Sequence, residues 1–185
     1  MKPSVLIVPG LRDHVVDHWQ TILARKIANS VTVPPLEHDK LSCAARVAAL
    51  DAALAKISGP VVLVAHSAGV MITVHWAAQN HARPIQGALL AAPADLGTPL
   101  PKGYPASEAL RDNGWLPVPR RKLPFPAIVA ASTNDPLARF GRVEAFSRDW
   151  GARLVDLGAV GHLNPASGFG EWKGALTLLQ ELSGA

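Results

Sequence analysis

The sequence contains a single cysteine, Cys43, so no disulfide can form within the chain. Disulfides are typical of secreted domains, and their absence favours a reducing compartment. The sequence also lacks the uninterrupted run of about 18 apolar residues that indicates a membrane-spanning helix. Its first apolar run, Val5 to Val8, ends at Pro9-Gly10 and is too short for the core of a signal peptide. We therefore expect a cytoplasmic protein that does not associate with membranes.

Charged residues are scarce, at 17%, whereas hydrophobic residues make up 49%. Disordered chains have the opposite composition, so we expect a packed globule, with residues 1–185 forming one domain. The formal net charge is +4, but the lysines and arginines are scattered, and their densest cluster, Arg120-Arg121-Lys122, lies among prolines. The sequence therefore gives no indication of a nucleic-acid partner.

Short apolar runs alternate with longer segments of helical periodicity along the chain. The predicted strands are residues 5–8, 31–33, 61–65, 85–92, 127–131 and 153–155. The predicted helices are residues 14–28, a segment capped by Ser42, and residues 68–80, 137–150 and 171–182. This alternation predicts a three-layer α/β fold, in which a mostly parallel sheet of about six strands has helices on both faces. Residues 96–123 are rich in proline and glycine, and they predict an irregular, minimal cap with a short helix at 107–112.

The segment after the third predicted strand carries the first candidate catalytic residue. It reads Ala65-His66-Ser67-Ala68-Gly69, one residue away from the nucleophile-elbow pattern G-x-S-x-G. In such an elbow, a strained turn between strand and helix presents a serine hydroxyl, and small residues two positions before and after it let the backbones approach. Ser67 could simply cap a helix, but a strand before it and a helix after it favour a nucleophile.

A serine nucleophile requires a base, and in this arrangement an acid and then a histidine follow the serine along the chain. Asp135 follows the fifth predicted strand, and His162 follows the sixth. The carboxyl ends of parallel strands form the active sites of open α/β sheets. We therefore predict Ser67 as nucleophile, His162 as general base and Asp135 as the acid that orients it. Asp156 is the alternative acid, in which case Asp135 would be a turn residue.

An oxyanion hole for this nucleophile requires two backbone N–H donors. We assign one to Ala68, which follows the nucleophile, and the other to Leu11 on the loop after the first strand, with Arg12 as second choice. The predicted substrate-binding residues are His66, Trp115 and Trp172, and ordinary packing is the alternative for the two tryptophans.

Two further features have simpler interpretations. His14 and His18 stand four residues apart, as metal ligands on a helix often do, but no third ligand is evident and no metal or organic cofactor is predicted. Cys43 lies near a predicted helix start, where a thiol pKa can fall, but an inert, buried thiol is the preferred interpretation.

Several stretches together resemble one protein family over almost the whole chain. They are Val8-Pro9-Gly10-Leu11 with His18-Trp19-Gln20, Ala65-His66-Ser67-Ala68-Gly69, Asn134-Asp135-Pro136, and Gly161-His162-Leu163-Asn164 continuing to Ser167-Gly168-Phe169-Gly170-Glu171-Trp172. In these the chain resembles the retinoblastoma-binding-protein-like small serine hydrolases of the α/β-hydrolase superfamily. The resemblance implies an α/β-hydrolase fold with a Ser67–Asp135–His162 triad and hydrolysis of small esters or amides.

An animal member of that family is named for binding the retinoblastoma protein through a Leu-x-Cys-x-Glu motif. The corresponding stretch here is Leu41-Ser42-Cys43-Ala44-Ala45, which has alanine in place of the glutamate. A protein partner of that kind is therefore doubtful, and a small ester or amide is the expected partner.

The sequence thus predicts a serine hydrolase of carboxylesterase type that forms an acyl-enzyme on Ser67. Two alternatives stay open. One is a catalytically weak or inactive protein-binding module that keeps the triad. The other is an acyltransferase, because fold and triad set the mechanism and not the acceptor.

Overall fold

The computed structural model describes residues 2–79 and 83–184. The strands within these residues are β1 (Ser4–Val8), β2 (Ser30–Thr32), β3 (Val61–His66), β4 (Gly87–Ala91), β5 (Ala127–Ala131) and β6 (Arg153–Asp156). The helices are α1 (Trp19–Lys26), α2 (Cys43–Ala55), α3 (Ala68–Gln79), α4 (Ser107–Asp112), α5 (Phe140–Trp150) and α6 (Gly174–Ser183), with a short 3-10 helix at Pro165–Ser167.

The six strands form one parallel sheet in the order β2-β1-β3-β4-β5-β6. The chain moves from β1 outward to β2 and then returns to build the rest of the sheet on the other side, so the strand order reverses between β1 and β3. Ligands of open α/β sheets bind at such a reversal, beyond the carboxyl ends of the strands. Val8 pairs with Ala65 in the register of β1 and β3, which brings the loop after Val8 beside the turn after His66.

Each face of the sheet has its own hydrophobic core, because alternate strand residues point to opposite faces. Strand residues such as Leu6 and Leu63 pack with α2, α3 and α5, whereas Ile7 and Val64 pack with α1 and α6. All residues of β3 are buried, as expected for a central strand covered on both faces. The predicted three-layer architecture is confirmed.

Three predicted helices begin later than their periodicity indicates: α1 at Trp19, α5 at Phe140 and α6 at Gly174. In α1 the ring of His18 caps the helix by accepting the N–H of Gln20, so residues 14–17 stay outside it. Val15 before α1 and Leu137 before α5 line a cavity, and Trp172 before α6 packs on Trp19, so these residues extend the apolar spacing beyond the helices themselves. The third predicted helix ends at Asn80, which lies outside the described residues.

The region from 96 to 123 is irregular, as predicted, and its only helix among the described residues is α4. None of the helices in residues 2–79 and 83–184 is both long and apolar enough to cross a membrane.

Candidate active site

Ser67 occupies a tight turn between β3 and α3. Its φ is 58°, in the left-handed region that costs a side-chain-bearing residue energy and is often found at functional sites. The turn is tight because α3 packs directly on the end of β1: a Cβ at Gly69 would lie 2.2 Å from the carbonyl oxygen of Val8. Glycine is therefore required at this position, as the elbow pattern predicts.

The structure brings the Ser67, His162 and Asp135 side chains into one hydrogen-bonded chain. The Ser67 Oγ lies 2.8 Å from Nε2 of His162. Nδ1 of the same ring lies 2.8 Å and 3.0 Å from the two carboxylate oxygens of Asp135. Because an ionised carboxylate only accepts hydrogen bonds, Nδ1 carries the proton and Nε2 is left to accept the serine hydroxyl proton. The His162 and Asp135 side chains are only 5% and 2% exposed, so water competes little for these bonds.

Asp156, the alternative acid, is exposed and accepts the N–H of Gly158 at 2.7 Å. Among the described residues its carboxylate makes no hydrogen bond to His162. Asp135 instead makes that contact and also accepts the N–H of Leu137 at 2.8 Å, which fixes its carboxylate. The geometry therefore favours Asp135 over Asp156.

The loop that carries His162 is held by side chains from two segments. Asn134 accepts the N–H of Gly161 at 2.6 Å through its Oδ1, and Ser167 accepts the N–H of His162 at 3.0 Å through its Oγ. Gly161 has a φ of 58°, and a Cβ there would lie 2.5 Å from the Ser167 Oγ, so glycine is required. Asn164 in turn accepts the Ser167 hydroxyl at 2.9 Å. These bonds fix the backbone of Gly161 and His162 and thereby the position of the His162 ring.

His66, at the end of β3, holds the same loop through a hydrogen bond to its backbone. Its Nε2 lies 2.9 Å from the carbonyl oxygen of His162, so Nε2 carries a proton and donates it. Burial, together with the neighbouring His162 and His18, holds the pKa of His66 well below its usual value, so its ring stays neutral. Burial and His162 likewise lower the pKa of His18 to about 4. His66 also contributes to the cavity wall, in the position predicted for it.

The two predicted oxyanion donors lie at the ends of adjacent strands. Ala68 is the first residue of α3, so its N–H has no acceptor within the helix. The Gly10 carbonyl accepts the N–H of Asp13 at 3.0 Å. In a trans peptide group the carbonyl and the N–H point in opposite directions, so the Leu11 N–H points away from Asp13. Within the described residues the Leu11 N–H donates to no protein acceptor. A Cβ at Gly10 would lie 3.6 Å from the Ser67 Oγ, so this loop borders the nucleophile.

Arg46 fixes the loop that carries Leu11. Its buried guanidinium donates to the Asp13 carboxylate at 2.6 Å and to the Leu11 carbonyl at 3.3 Å, and Nε donates to the Lys40 carbonyl at 2.8 Å. The sequence analysis missed this residue. The feature that could have identified Arg46 is its position: it is a charged residue on the apolar face of α2, one helical turn before Leu50.

A cavity of about 500 Å³ opens at Ser67 and His162. Leucines supply much of its wall, and they come from four separate segments: Leu11, Leu41, Leu96, Leu100 and Leu137. Gly103, Tyr104 and Pro105 close one side, so the first part of the 96–123 region forms the predicted cap. The cavity suits a ligand with a substantial apolar portion.

Two predicted pocket residues are corrected by the structure. Trp115 is completely buried, donates its indole N–H to the Leu41 carbonyl at 2.6 Å, and does not line the cavity. Trp172 packs edge-on against Trp19 at 4.9 Å between ring centroids and also lies outside the cavity wall. Both tryptophans have the packing role that was their alternative interpretation. Tyr104, which had not been singled out, contributes its ring to the wall.

The remaining candidates have local roles. In residues 2–79 and 83–184 no three His, Cys, Asp or Glu side chains are grouped to hold a metal. His18 uses its Nδ1 to cap α1, so this atom is occupied by a protein donor. Cys43 is buried, and burial raises its pKa to about 11, which suits the inert thiol that the sequence predicts.

The parallel sheet and the serine elbow define an α/β hydrolase. The model of the family described as "Serine hydrolase" matches residues 5–181, so the chain belongs to the serine hydrolase family. No curated protein matches the sequence.

Solved structures agree with this assignment. A YdeN-like hydrolase from Pectobacterium atrosepticum is 30% identical, with a TM-score of 0.83 over 98% of this chain and 91% of that one. The ydeN gene product of B. subtilis is 16% identical, with a TM-score of 0.74 over 99% and 100% of the two chains. Est1E from Butyrivibrio proteoclasticus, solved with ferulic acid, is 14% identical, with a TM-score of 0.68 over 97% and 85%. The last two likenesses show the fold alone.

Proposed function

We propose that the chain is a carboxylesterase that cleaves small carboxylic esters, and secondarily amides, through an acyl-enzyme on Ser67. The observation that carries this proposal is the hydrogen-bonded chain from the Ser67 Oγ through His162 to Asp135, at the opening of a largely apolar cavity. An isolated serine is a weak nucleophile, and a neutral imidazole within hydrogen-bonding distance is the activator that it needs.

In the acylation step, the Ser67 Oγ attacks the substrate carbonyl carbon while Nε2 of His162 takes the hydroxyl proton. The Asp135 carboxylate stabilises the imidazolium that forms. The tetrahedral intermediate then expels the alcohol, which receives its proton from Nε2, and the acyl group stays on the serine. In the second half, Nε2 takes a proton from water, the resulting hydroxide attacks the acyl carbon, and Ser67 recovers its proton as the acid leaves.

The oxyanion of each tetrahedral intermediate requires fixed donors, and we assign the N–H groups of Leu11 and Ala68 to this role. The unused Leu11 N–H and the position of Ala68 at the start of α3 support the assignment. Donors that are already in place need no rearrangement as charge develops, which makes this one of the larger contributions to catalysis. Arg46 acts as a positioning residue because it holds the Leu11 carbonyl.

The test compares Ser67→Ala with the wild type in hydrolysis of 4-nitrophenyl butyrate. We expect the rate to fall at least about a thousand-fold, because the acyl-enzyme can no longer form. Ser58→Ala is the matched control, since Ser58 is exposed and lies outside the cavity, and it should keep the wild-type rate. A folded Ser67→Ala variant with more than a tenth of the wild-type rate would contradict the proposal.

Two alternatives predict different outcomes. An inactive binding module would leave the wild type without turnover on any ester in a chain-length series. An acyltransferase would form the alkyl ester in preference to the free acid when a short alcohol is added. The unblocked serine and the intact hydrogen-bonded chain favour hydrolysis over the binding module.

We also infer the finer assignments that the sequence suggested. Within the serine hydrolases, the chain is placed in the retinoblastoma-binding-protein-like group, on the motifs around Ser67 and His162. It would act in the cytoplasm on small molecules, without a nucleic-acid or membrane partner. In the stretch where that group's animal member binds its protein partner, Leu41 lines the cavity and Cys43 is buried, which argues against a similar docking role here.

A further inference from the structure

We propose that Arg12 and Lys40 form a cationic rim that selects esters whose leaving group carries a negative charge. The inference rests on the proposed esterase function and names the substrate class of the same site. The cavity wall has three charged residues, Arg12, Asp13 and Lys40. Asp13 is neutralised by Arg46 at 2.6 Å, which leaves the two exposed cations.

Neither cation has a carboxylate partner within the part of the chain that the structure describes. The Arg12 guanidinium lies 5.6 Å from the centre of the Tyr104 ring, so it is held against the cavity wall without its charge being neutralised. A cation over an aromatic face keeps its attraction for an anion. Both charges are therefore available to a ligand.

Arg12 and Lys40 lie on two segments that a single residue, Arg46, holds together. Arg46 binds the carbonyl of Leu11, directly before Arg12, and the carbonyl of Lys40 itself. The backbones of the two basic residues are thereby fixed to one guanidinium. Arg12 and Lys40 thus extend into one cavity from neighbouring, fixed backbone positions, so both can act on the same anionic group.

The anion belongs to the leaving group and not to the acyl group. The acyl group stays bound to Ser67 in the intermediate and has the leucine wall available to it, where a carboxylate would lose its hydration without a partner. Arg12 and Lys40 are exposed, so an anion beside them keeps part of its water. Because the leaving group must reach solvent through the cavity opening, a negative charge on that group suits these exposed cations.

The test compares 3-carboxy-4-nitrophenyl hexanoate with 4-nitrophenyl hexanoate, and the readout is the ratio of their kcat/KM values. In the double variant Arg12→Gln/Lys40→Gln this ratio should fall about 3- to 20-fold relative to wild type, as expected for two exposed ion pairs. The wild-type ratio should also fall as salt rises from 0.01 M to about 1 M, because salt screens exposed charges. Lys56→Gln, on an exposed lysine outside the cavity, should leave the ratio unchanged.

The results separate failure of this inference from failure of the esterase proposal. If the wild type hydrolyses both esters and the double variant keeps the wild-type ratio, the cationic rim has no role in selection. An equal loss of both kcat/KM values would show a structural effect and would also overturn the inference. If the wild type hydrolyses neither ester, the esterase proposal fails and this inference fails with it.

Discussion

Replacing Arg46 by methionine should destabilise the fold and slow catalysis together. Methionine keeps most of the side-chain volume on the apolar face of α2 but removes the guanidinium. The Asp13 carboxylate, which is only 19% exposed, would lose its partner, and the carbonyls of Leu11 and Lys40 would lose a donor each.

Removing one partner of a buried ion pair costs about 3–5 kcal/mol, because an uncompensated charge stays behind. Asp13 keeps some contact with water, so we expect a somewhat smaller cost, about 2–4 kcal/mol. Arg46→Lys keeps the charge but cannot reach three acceptors at once, and it should cost about half as much. Because the Leu11 segment loses its anchor, kcat for 4-nitrophenyl butyrate should fall about tenfold or more, with a smaller change in KM.

Urea denaturation of the wild type, Arg46→Met and Arg46→Lys measures these costs through the shift of the midpoint at constant slope. Arg25→Met is the matched control, since Arg25 is exposed on α1, and its effect should stay within about 0.5 kcal/mol. A loss below about 1 kcal/mol in Arg46→Met, or an unchanged kcat, would refute the reasoning that this residue holds the Leu11 segment.

Gly69→Ala should destabilise the protein by about 3 kcal/mol or more, since its Cβ would meet the Val8 backbone at 2.2 Å. Gly141→Ala, in α5 with open space around it, should instead stabilise by about 0.5–1 kcal/mol, and thermal unfolding of both variants measures the two effects. Stability should also fall as pH drops from 6.5 towards 4. In this range His18 takes up a proton in the unfolded chain but stays neutral in the folded protein, because burial lowers its pKa to about 4. His18→Asn should remove up to about 3 kcal/mol of this dependence, whereas His38→Asn, at an exposed site, should not.

The sequence was most informative where one local interaction determines the structure. Strand β5 and helix α4 have the predicted bounds, and Ser42 caps α2 as expected, with its hydroxyl accepting the Ala45 N–H at 3.2 Å. Parallel strands bring their carboxyl ends to one edge, and the residues predicted from the chain order of serine, acid and histidine lie within hydrogen-bonding distance there. That residues 1–185 form one domain stays a prediction.

Long-range packing accounts for what the sequence did not reveal. Trp115 was assigned to the pocket as a residue on a loop that could reach the site, but its partner, the Leu41 carbonyl, is 74 residues away in sequence. Arg46 binds Leu11 and Lys40, which α1 and β2 separate in sequence, so its role depends on tertiary contacts. The cavity itself forms between six segments that are far apart in sequence, and the periodicity of one segment does not show which others it meets.

The most direct test of the central claim is labelling by a fluorophosphonate, followed by mass-spectrometric mapping of the modified peptide. Such a reagent reacts with a serine that is activated by a neighbouring base and leaves ordinary hydroxyls unmodified. We predict one adduct per chain, located on Ser67, and none in folded Ser67→Ala or in wild type that has first been saturated with a slowly hydrolysed ester. An adduct on another serine, or no adduct on the folded wild type, would contradict the account.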